Sequence, residues 1–239
     1  MRYIYGPVKS RRLGYSLGIS TVPYKVCSFD CVYCQLKRTT RQTLERKRYI
    51  PERDILKEFE SFFKHKPQDL KIDCVTFSGS GEPTLHKFLG RLIRAIKSMT
   101  SVPVVLITNG STLLDPKVRK DILDVDILIP SLDAVTQDIF EKIDRSVKGL
   151  KVKDIMGGGL KSFRKAFGGK IWLEIMLVRG LNDSLRYLKK MKKIIDTIQP
   201  DRIQLNSPVR PPAEKWVQPA TARTLRMARA IFDNNCDII

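Results

Sequence analysis

Six apolar runs rich in β-branched residues recur along the chain, and most are followed by a stretch with helical periodicity. These runs cover residues 17–22, 74–78, 102–108, 127–132, 172–178 and 202–206. Continuous apolar strands that alternate with amphipathic helices favour a parallel sheet with helices packed on its outside. We therefore expect an α/β fold with six βα units, which are too few to close an eight-stranded barrel.

The intervening helices follow from spacings of three and four between apolar residues. They are predicted over residues 52–64, 86–99, 116–123, 136–143, 159–167 and 184–198, with a last helix over 221–232. Within 86–99 the spacing predicts one buried face formed by Phe88, Leu89, Leu92, Ile93 and Ile96. The triple glycine at 157–159 predicts a flexible break between two helical pieces. The segment up to Gly14 is expected to be short and irregular.

The chain has 239 residues, of which 42% are hydrophobic, and this length suits one ordinary domain with a sizeable core. No apolar run reaches the roughly 18 residues of a membrane span, and the N-terminus lacks an apolar signal core. With clustered free cysteines, this predicts a cytoplasmic protein without membrane association.

Lysine and arginine total 44 against 25 acidic residues, so the formal net charge is +19. A surface of this charge attracts nucleic acid, anionic membranes or phosphorylated substrates. A general bias in composition or a need for solubility explains the charge equally well.

Three of the five cysteines, Cys27, Cys31 and Cys34, form a C-x3-C-x2-C array after the first apolar run. Thiolates at this spacing suit an iron–sulfur cluster or zinc. Structural zinc sites usually have four ligands in two pairs, whereas the other two cysteines and both histidines stand alone. Three ligands from one loop leave a further metal position open to a substrate or cofactor.

This array, with Tyr33 before its third cysteine, resembles the signature of the radical S-adenosylmethionine (SAM) superfamily. Further segments resemble its wyosine-base-formation-like iron–sulfur oxidoreductase branch: residues 6–14 (GPVKSRRLG), 78–85 (SGSGEPTL), 108–110 (TNG), 131–134 (SLDA) and 204–212 (QLNSPVRPP). The resemblance implies a partial, open (β/α)6 TIM-like barrel. It also implies a [4Fe-4S] cluster on the three cysteines, with SAM as the ligand of the fourth iron.

The resemblance further implies a single radical SAM domain over residues 1–239. Its expected parts are an N-terminal strap (1–16), the partial barrel (17–207) and a C-terminal extension with a helix (208–239). The strap is either solvated or lies near the mouth of the site, where Arg11 or Arg12 meets an anionic group. The open side of such a barrel would admit a large substrate.

Reactive groups in barrels of parallel strands gather at the carboxyl ends of the strands. The resemblance implies that Tyr33 borders the adenine of SAM, and that Ser80, Gly81 and Glu82 bind its methionine ammonium. Ser80 stands where the family often has glycine. The alternative for Glu82 is a role at the N-terminus of the helix that follows it.

The next strands end in further polar residues. Asn109 either forms part of a turn or reaches a ligand with its amide. Ser131 and Asp133 are two apart and face the same way, and the resemblance makes them candidates for the ribose hydroxyls and carboxylate of SAM. Asp133 is alternatively the N-cap of the helix at 136. Glu174, inside an apolar run, is expected to face the lumen or to pair with a cation such as Arg179.

The resemblance implies an enzyme that cleaves SAM reductively to methionine and a 5′-deoxyadenosyl radical, which abstracts hydrogen from a substrate. The electron donor would be an external protein of the flavodoxin or ferredoxin type. No catalytic residue beyond the cofactor site is identified.

The positive charge favours a base in RNA, above all tRNA, as the substrate. Arg223, Arg226 and Arg229, three residues apart, form either a solvated face or an RNA-facing stripe. Two other functions remain open. One is radical modification or activation of a peptide or protein, as in activation of a glycyl-radical partner. The other is a non-enzymatic metal-cluster protein that only binds nucleic acid.

Overall fold

The computed structural model describes residues 1–233 and 235–239. The strands are β1 (Ile4–Ser10), β2 (Gly14–Ile19), β3 (Val26–Cys27), β4 (Arg41–Gln42), β5 (Cys74–Phe77), β6 (Val104–Thr108), β7 (Ile127–Pro130), β8 (Lys170–Met176), β9 (Arg202–Asn206) and β10 (Cys236–Ile238). Eight of them form one sheet in the order β1-β2-β5-β6-β7-β8-β9-β10, and β3 and β4 form a separate pair.

Most helices lie where periodicity places them, with ends that differ by a few residues, but the short helix Val152–Asp154 was not predicted. They are α1 (Glu52–His65), α2 (Leu89–Met99), α3 (Pro116–Asp121), α4 (Gln137–Ile143), α5 (Val152–Asp154), α6 (Ser162–Ala166), α7 (Leu185–Ile198) and α8 (Ala222–Phe232). A short 3-10 helix, Pro83–Leu85, precedes α2, and a π-helix, Ile155–Lys161, joins α5 to α6.

The expected six-stranded parallel core is confirmed. β2 and β5 to β9 are parallel neighbours, and the sheet does not close on itself. These strands read as continuous apolar runs because helices cover one face while side chains from neighbouring strands fill the other. This is the partial, open (β/α)6 barrel implied by the sequence.

Successive side chains along each strand point alternately toward the outer helices and toward the lumen of the barrel. Leu17 and Val75 are fully buried in the cluster formed with the helices. Ser16 and Thr76, on the opposite face, share a hydroxyl hydrogen bond of 2.6 Å. On α2, four of the five predicted face residues are fully buried: Leu89, Leu92, Ile93 and Ile96. Burial of each such side chain stabilises the fold by about 1.5–3 kcal/mol.

The prediction that the segment up to Gly14 is irregular was wrong. It forms β1, which pairs antiparallel with β2, and the register shifts between Tyr5 and Val8. Pro7 lies in this shift and cannot donate to a ladder, which is why the segment did not read as a strand. Glu58 on α1 accepts hydrogen bonds from the backbone N–H groups of residues 2–4 and fixes the start of β1.

Two further features differ from expectation. β10, only three residues long, adds parallel to β9 and was not predicted. The glycine triplet at 157–159 is not a flexible break, since it lies within the π-helix. A Cβ on Gly159 would lie 3.3 Å from the Cβ of Leu113, so small residues here allow the helix to pack closely against that loop.

The turn between β1 and β2 carries two arginines to the far side of the barrel. Arg12 forms an ion pair with Glu174 on β8, and both side chains are less than 15% exposed. Arg11 donates to Asn206 on β9 at 3.2 Å, and Asn206 donates to Glu174 at 3.0 Å. The partner of Glu174 is therefore Arg12 rather than Arg179, and Arg12 is not part of a solvated strap.

In the part of the chain that the structure describes, no helix combines the length and apolar character needed to cross a membrane.

The ion pair between Arg12 and Glu174 leads to a first prediction. Arg12→Met should lower the free energy of unfolding by about 3 kcal/mol, because it leaves a buried carboxylate without its cation. The double variant with Glu174→Met should recover much of that loss. Urea unfolding of the two single variants and the double variant measures the coupling.

The matched control for this prediction is Arg94→Met, which breaks an ion pair whose side chains are 56% and 47% exposed. It should cost less than about 1 kcal/mol. Equal losses in Arg12→Met and Arg94→Met would contradict a special role for the buried pair.

Candidate metal and cofactor site

The three cysteines lie on one loop at the carboxyl end of the barrel. The loop leaves β3, returns through β4, and turns at Cys34, whose N–H donates to the carbonyl of Cys31 at 3.1 Å. Val32 donates its N–H to the carbonyl of Ile143 at 2.9 Å, so the loop is also attached to the end of α4. Backbone contacts thus hold the cysteine loop on both sides.

The turn that follows β5 approaches the backbone of this loop very closely. Lys25 donates its N–H to the carbonyl of Ser80 at 2.6 Å, and Glu82 donates its N–H to the carbonyl of Val26 at 3.1 Å. A Cβ built on Gly81 would lie 1.9 Å from the Val26 oxygen, which is impossible. Glycine at this position is therefore what allows residues 80–82 to lie directly against the cysteine loop.

Glu82 is fully enclosed and its carboxylate joins the ends of two strands. It accepts the N–H of Asn109 at 2.8 Å and the hydroxyl of Thr108 at 2.7 Å, both at the end of β6. It also accepts the N–H of Thr84 and so caps the 3-10 helix, which is the structural alternative considered for it. Burial raises the pKa of the Glu82 carboxyl, and these hydrogen bonds oppose the shift.

Asn109 connects the end of β6 to the cysteine loop. Its amide nitrogen donates to the hydroxyl of Ser28 at 2.9 Å and approaches the sulfur of Cys27 at 3.5 Å. Its amide oxygen accepts the N–H of Ser111 at 3.0 Å, and Ser111 and Ser28 share a hydrogen bond of 2.6 Å. The side chain therefore positions the loop and also lies at the site.

Asp133 is buried at the end of β7, where it joins the cysteine loop to β8. It accepts the hydroxyl of Tyr33 and, at 2.7 Å, the N–H of Met176. It does not cap α4, whose N-cap is Thr136. Burial raises the pKa of Asp133 to about 7, against the effect of the hydrogen bonds from Tyr33 and Met176.

A second buried carboxyl, Asp144, lies between Asp133 and the loop. The sulfur of Cys31 approaches its Oδ1 at 3.7 Å. Burial and the neighbouring Asp133 raise the pKa of Asp144 well above its ordinary range. Two carboxyl groups this close to each other in a site of low polarity favour retention of a proton.

A small cavity opens beside these groups at the end of the central strands. Four of its lining residues are predicted or adjacent site residues: Asn109, Ser131, Asp133 and Asp144. The remaining lining is largely apolar and comprises Phe29, Leu132, Ala134, Phe140, Val152 and Ile155. The structure therefore brings Asn109, Ser131 and Asp133 to one cavity, with Tyr33 bound to Asp133. Ser80, Gly81 and Glu82 instead contact the backbone of Lys25 and Val26, just before the first cysteine.

The C-terminal extension covers the cysteine loop. The N–H of Glu214 donates to the carbonyl of Val32 at 3.0 Å, and its carboxylate pairs with Arg145 at 2.6 Å. From the loop, Lys37 donates to the carbonyl of Pro212 at 3.1 Å. The proline-rich segment after β9 thus packs against the cysteine loop and covers it.

Three thiols on one loop are soft ligands of the kind that hold iron–sulfur clusters. Within residues 1–233 and 235–239, no group of three candidate ligands is arranged to hold a single metal ion. Burial raises the pKa of Cys27 to about 12 and that of Cys31 well above its ordinary range. Thiolates in this pocket therefore need a cationic metal group beside them.

Several residues of this site were not predicted from the sequence: Lys25, Ser28, Thr108, Ser111 and Asp144. Ser28 lies within the cysteine motif and Thr108 directly precedes Asn109, so their position in the chain was an available signal. Asp144 is 113 residues from the cysteine it approaches, and no local pattern indicates that contact.

Comparison with known proteins identifies a family and several relatives. A family model described as the Radical SAM superfamily matches residues 21–191. Among curated proteins, a GTPase Obg of Brachyspira hyodysenteriae is 41% identical over 98% of this chain and 34% of its own length. A UPF0026 protein of Methanocaldococcus jannaschii is 36% identical over 98% of this chain and 72% of its own length. The chain thus spans about a third of the first protein and nearly three quarters of the second.

A more distant relative and a solved structure extend the comparison. A probable dual-specificity RNA methyltransferase RlmN of Thermotoga sp. (strain RQ2) is 26% identical over 70% of this chain and 49% of its own length. The structure of TYW1 with a lysine-pyruvate adduct bound superposes with a TM-score of 0.62 at 20% identity, covering 92% of this chain and 74% of that chain. This second likeness shows a shared fold.

The close approach at Gly81 gives a second prediction. Gly81→Ala should lower the free energy of unfolding by about 3 kcal/mol or displace the cysteine loop, because the new methyl group overlaps the Val26 carbonyl. The iron content after anaerobic reconstitution and the melting temperature measure the effect.

Gly168→Ala is the matched control, since a Cβ there meets no atom within 4 Å. It should leave both quantities unchanged. Iron content and melting temperature as high in Gly81→Ala as in the control would refute the contact.

Proposed function

The chain belongs to the radical SAM superfamily and to the UPF0026 family, and we propose that it cleaves SAM reductively at a [4Fe-4S] cluster held by Cys27, Cys31 and Cys34. The predictions of the superfamily and of an iron–sulfur enzyme are confirmed at the level of the family. The observation that carries the proposal is the cysteine loop at the carboxyl end of an open parallel barrel, pressed against residues 80–82. When bound, the cluster and SAM supply a 5′-deoxyadenosyl radical that abstracts hydrogen from the substrate.

The protein's own residues bind, orient and shield these groups. In this proposal the three thiolates hold three irons. The turn formed by residues 80–82 would bind the methionine end of SAM. Glu82 fixes these residues through its bonds to Thr108 and Asn109. The hydrogen bonds already present at Glu82 indicate that its main contribution is to position this turn.

The adenosine end of SAM is assigned to the cavity at the ends of the central strands. Ser131 and Asp133 lie on its wall, and Tyr33 is oriented by its hydrogen bond to Asp133. Phe29 and Val32 on the loop are buried in an apolar cluster that excludes water from the cysteine side. Water exclusion suits a cluster that must reach a low reduction potential.

We further propose that the substrate is a base in RNA, with tRNA as the first candidate. The carboxyl-end loops, which are the chain segments that follow β7, β8 and β9 and include the short helix α5, carry exposed cations. These are Lys148, Lys151, Lys153, Arg179, Arg210 and Lys215. Two aromatic rings are also accessible on this side, Tyr24 at 59% and Trp216 at 51% exposed. Exposed cations suit contacts with phosphates, and exposed aromatic rings suit stacking of unpaired bases. The name of the Thermotoga relative, an RNA methyltransferase, supports this class.

The electron donor belongs to the same proposal. Members of the superfamily need an external donor, and we assign a flavodoxin or ferredoxin type to this chain.

The basic stripe Arg223, Arg226 and Arg229 lies on α8, which packs outside the barrel against α7 and β9. The guanidinium of Arg229 donates to the carbonyl of Cys236 at 3.2 Å, so this face is a weaker RNA candidate than the carboxyl-end loops.

SAM cleavage gives the third prediction. Protein reconstituted anaerobically with iron and sulfide should form 5′-deoxyadenosine when dithionite and SAM are added, and Cys31→Ala should form none. Chromatography coupled to mass spectrometry quantifies the product. Cys74→Ala is the matched control, because Cys74 is buried at the start of β5 and should not affect the yield. A protein that holds about four irons per chain but forms no product, with or without tRNA, would refute the proposal.

RNA binding gives the fourth prediction. The affinity for bulk tRNA should fall steeply with salt, by a slope of about 0.7–0.9 per phosphate contact in a double-logarithmic plot. Lys148→Ala, Lys151→Ala and Lys153→Ala combined should weaken binding and reduce that slope. Filter binding or fluorescence anisotropy across a salt series measures both.

The control for that triple variant removes three exposed lysines from the outside of the barrel, Lys189, Lys190 and Lys193 on α7. It should bind tRNA nearly as the unmodified protein does. A flat salt profile, or equal losses in both triple variants, would contradict an RNA substrate at the carboxyl-end loops and would favour a peptide or protein.

A further inference from the structure

Lys25 is a buried lysine beside the proposed cluster. Only 3% of the residue is exposed, and its Nζ donates to the sulfur of Cys34 at 3.2 Å. Lysine is rarely buried to this degree unless its ammonium is paired. Its position between the cysteine loop and residues 80–82 places a positive charge inside the site.

The backbone at Lys25 is held in a conformation that L-residues seldom adopt. Its φ angle is +56°, in the left-handed region, which costs a residue with a side chain about 1–2 kcal/mol. Its N–H donates to Ser80, and its carbonyl accepts the N–H groups of Thr40 and Arg41. Contacts on both sides therefore direct this side chain toward Cys34 despite the backbone strain.

The charge of Lys25 has no carboxylate partner among residues 1–233 and 235–239. Among the salt bridges between described residues, none involves Lys25, and the polar contact of its Nζ is the Cys34 sulfur. By contrast, Arg12, another deeply placed cation, is paired with Glu174. A buried charge is costly without a counter-charge, so the site is built to receive an anionic group next to this ammonium.

We propose that the ammonium of Lys25 supplies a positive counter-charge to the cluster, next to the sulfur of Cys34. This inference rests on the proposed function, because it requires a cluster on the three cysteines. One-electron reduction, with the electron taken from the external donor, adds one negative charge close to the ammonium. The positive charge stabilises that reduced state and so raises the reduction potential, for which net charge and hydrogen bonds to sulfur are known controls.

Lys25→Met tests the charge, because methionine is close to lysine in length and carries none. The midpoint potential of the reconstituted cluster is measured without SAM by an anaerobic redox titration followed by electron paramagnetic resonance. We expect the equilibrium constant for reduction to fall at least tenfold, which is about 59 mV toward more negative potential for one electron. Lys25→Gln, which keeps an N–H donor without the charge, should shift in the same direction.

Lys57→Met is the matched control, since Lys57 is an exposed lysine on the outer helix α1, away from the cysteine loop. The equilibrium constant for reduction of the cluster in this variant should stay within twofold of the wild-type value. Iron and sulfide analysis and circular dichroism verify the cluster and the fold in every variant, and Lys25→Gln supplies the measurement if Lys25→Met does not fold.

The outcomes separate the two proposals. A wild-type protein that holds no cluster contradicts the proposed function. A wild-type protein with a cluster, together with an unchanged potential in both Lys25 variants, overturns only the role of Lys25. A shift in Lys25→Met that is absent from Lys25→Gln overturns the assignment to charge and attributes the effect to the hydrogen bond alone.

Discussion

The contact between the backbone of residues 80–82 and the cysteine loop is the constraint on which the rest of the site depends. It requires a residue without a side chain at Gly81, and it joins the end of one core strand to the loop that carries the cysteines. Lys25, Val26 and Glu82 all take part in the pair of backbone hydrogen bonds at this contact. Backbone hydrogen bonds between residues 80–82 and residues 25–26 therefore position the cysteine loop.

Buried carboxylates repeat one arrangement around the open barrel. Glu82, after β5, accepts an N–H group at the end of β6; Asp133, after β7, accepts the N–H of Met176 in β8; and Glu174 in β8 accepts the amide of Asn206 in β9. Each tie joins neighbouring strands near their carboxyl ends. A closed barrel holds its rim through continuous hydrogen bonding between strands, whereas this open sheet adds side-chain ties to keep its rim in place.

Sequence patterns predicted the parts of this molecule that depend on local composition. The six parallel strands were recognisable because burial on both faces makes them continuously apolar, and the cysteine array was recognisable because its three ligands are close in sequence. β1 was not predicted, since Gly6 and Pro7 interrupt its pattern. The pairing of Arg12 with Glu174 and the approach of Asp144 to Cys31 join residues more than 100 positions apart. Such contacts depend on how the sheet coils, which no single segment encodes.

The open barrel also leaves two free sheet edges, and each is poorly suited to adding a strand from another molecule. β1 carries Pro7, a shift of register and Lys9, all of which interrupt a regular row of hydrogen-bonding groups. β10 at the other edge is only three residues long. The features that hid both strands from sequence patterns are thus the same ones that protect the sheet from edge-to-edge aggregation.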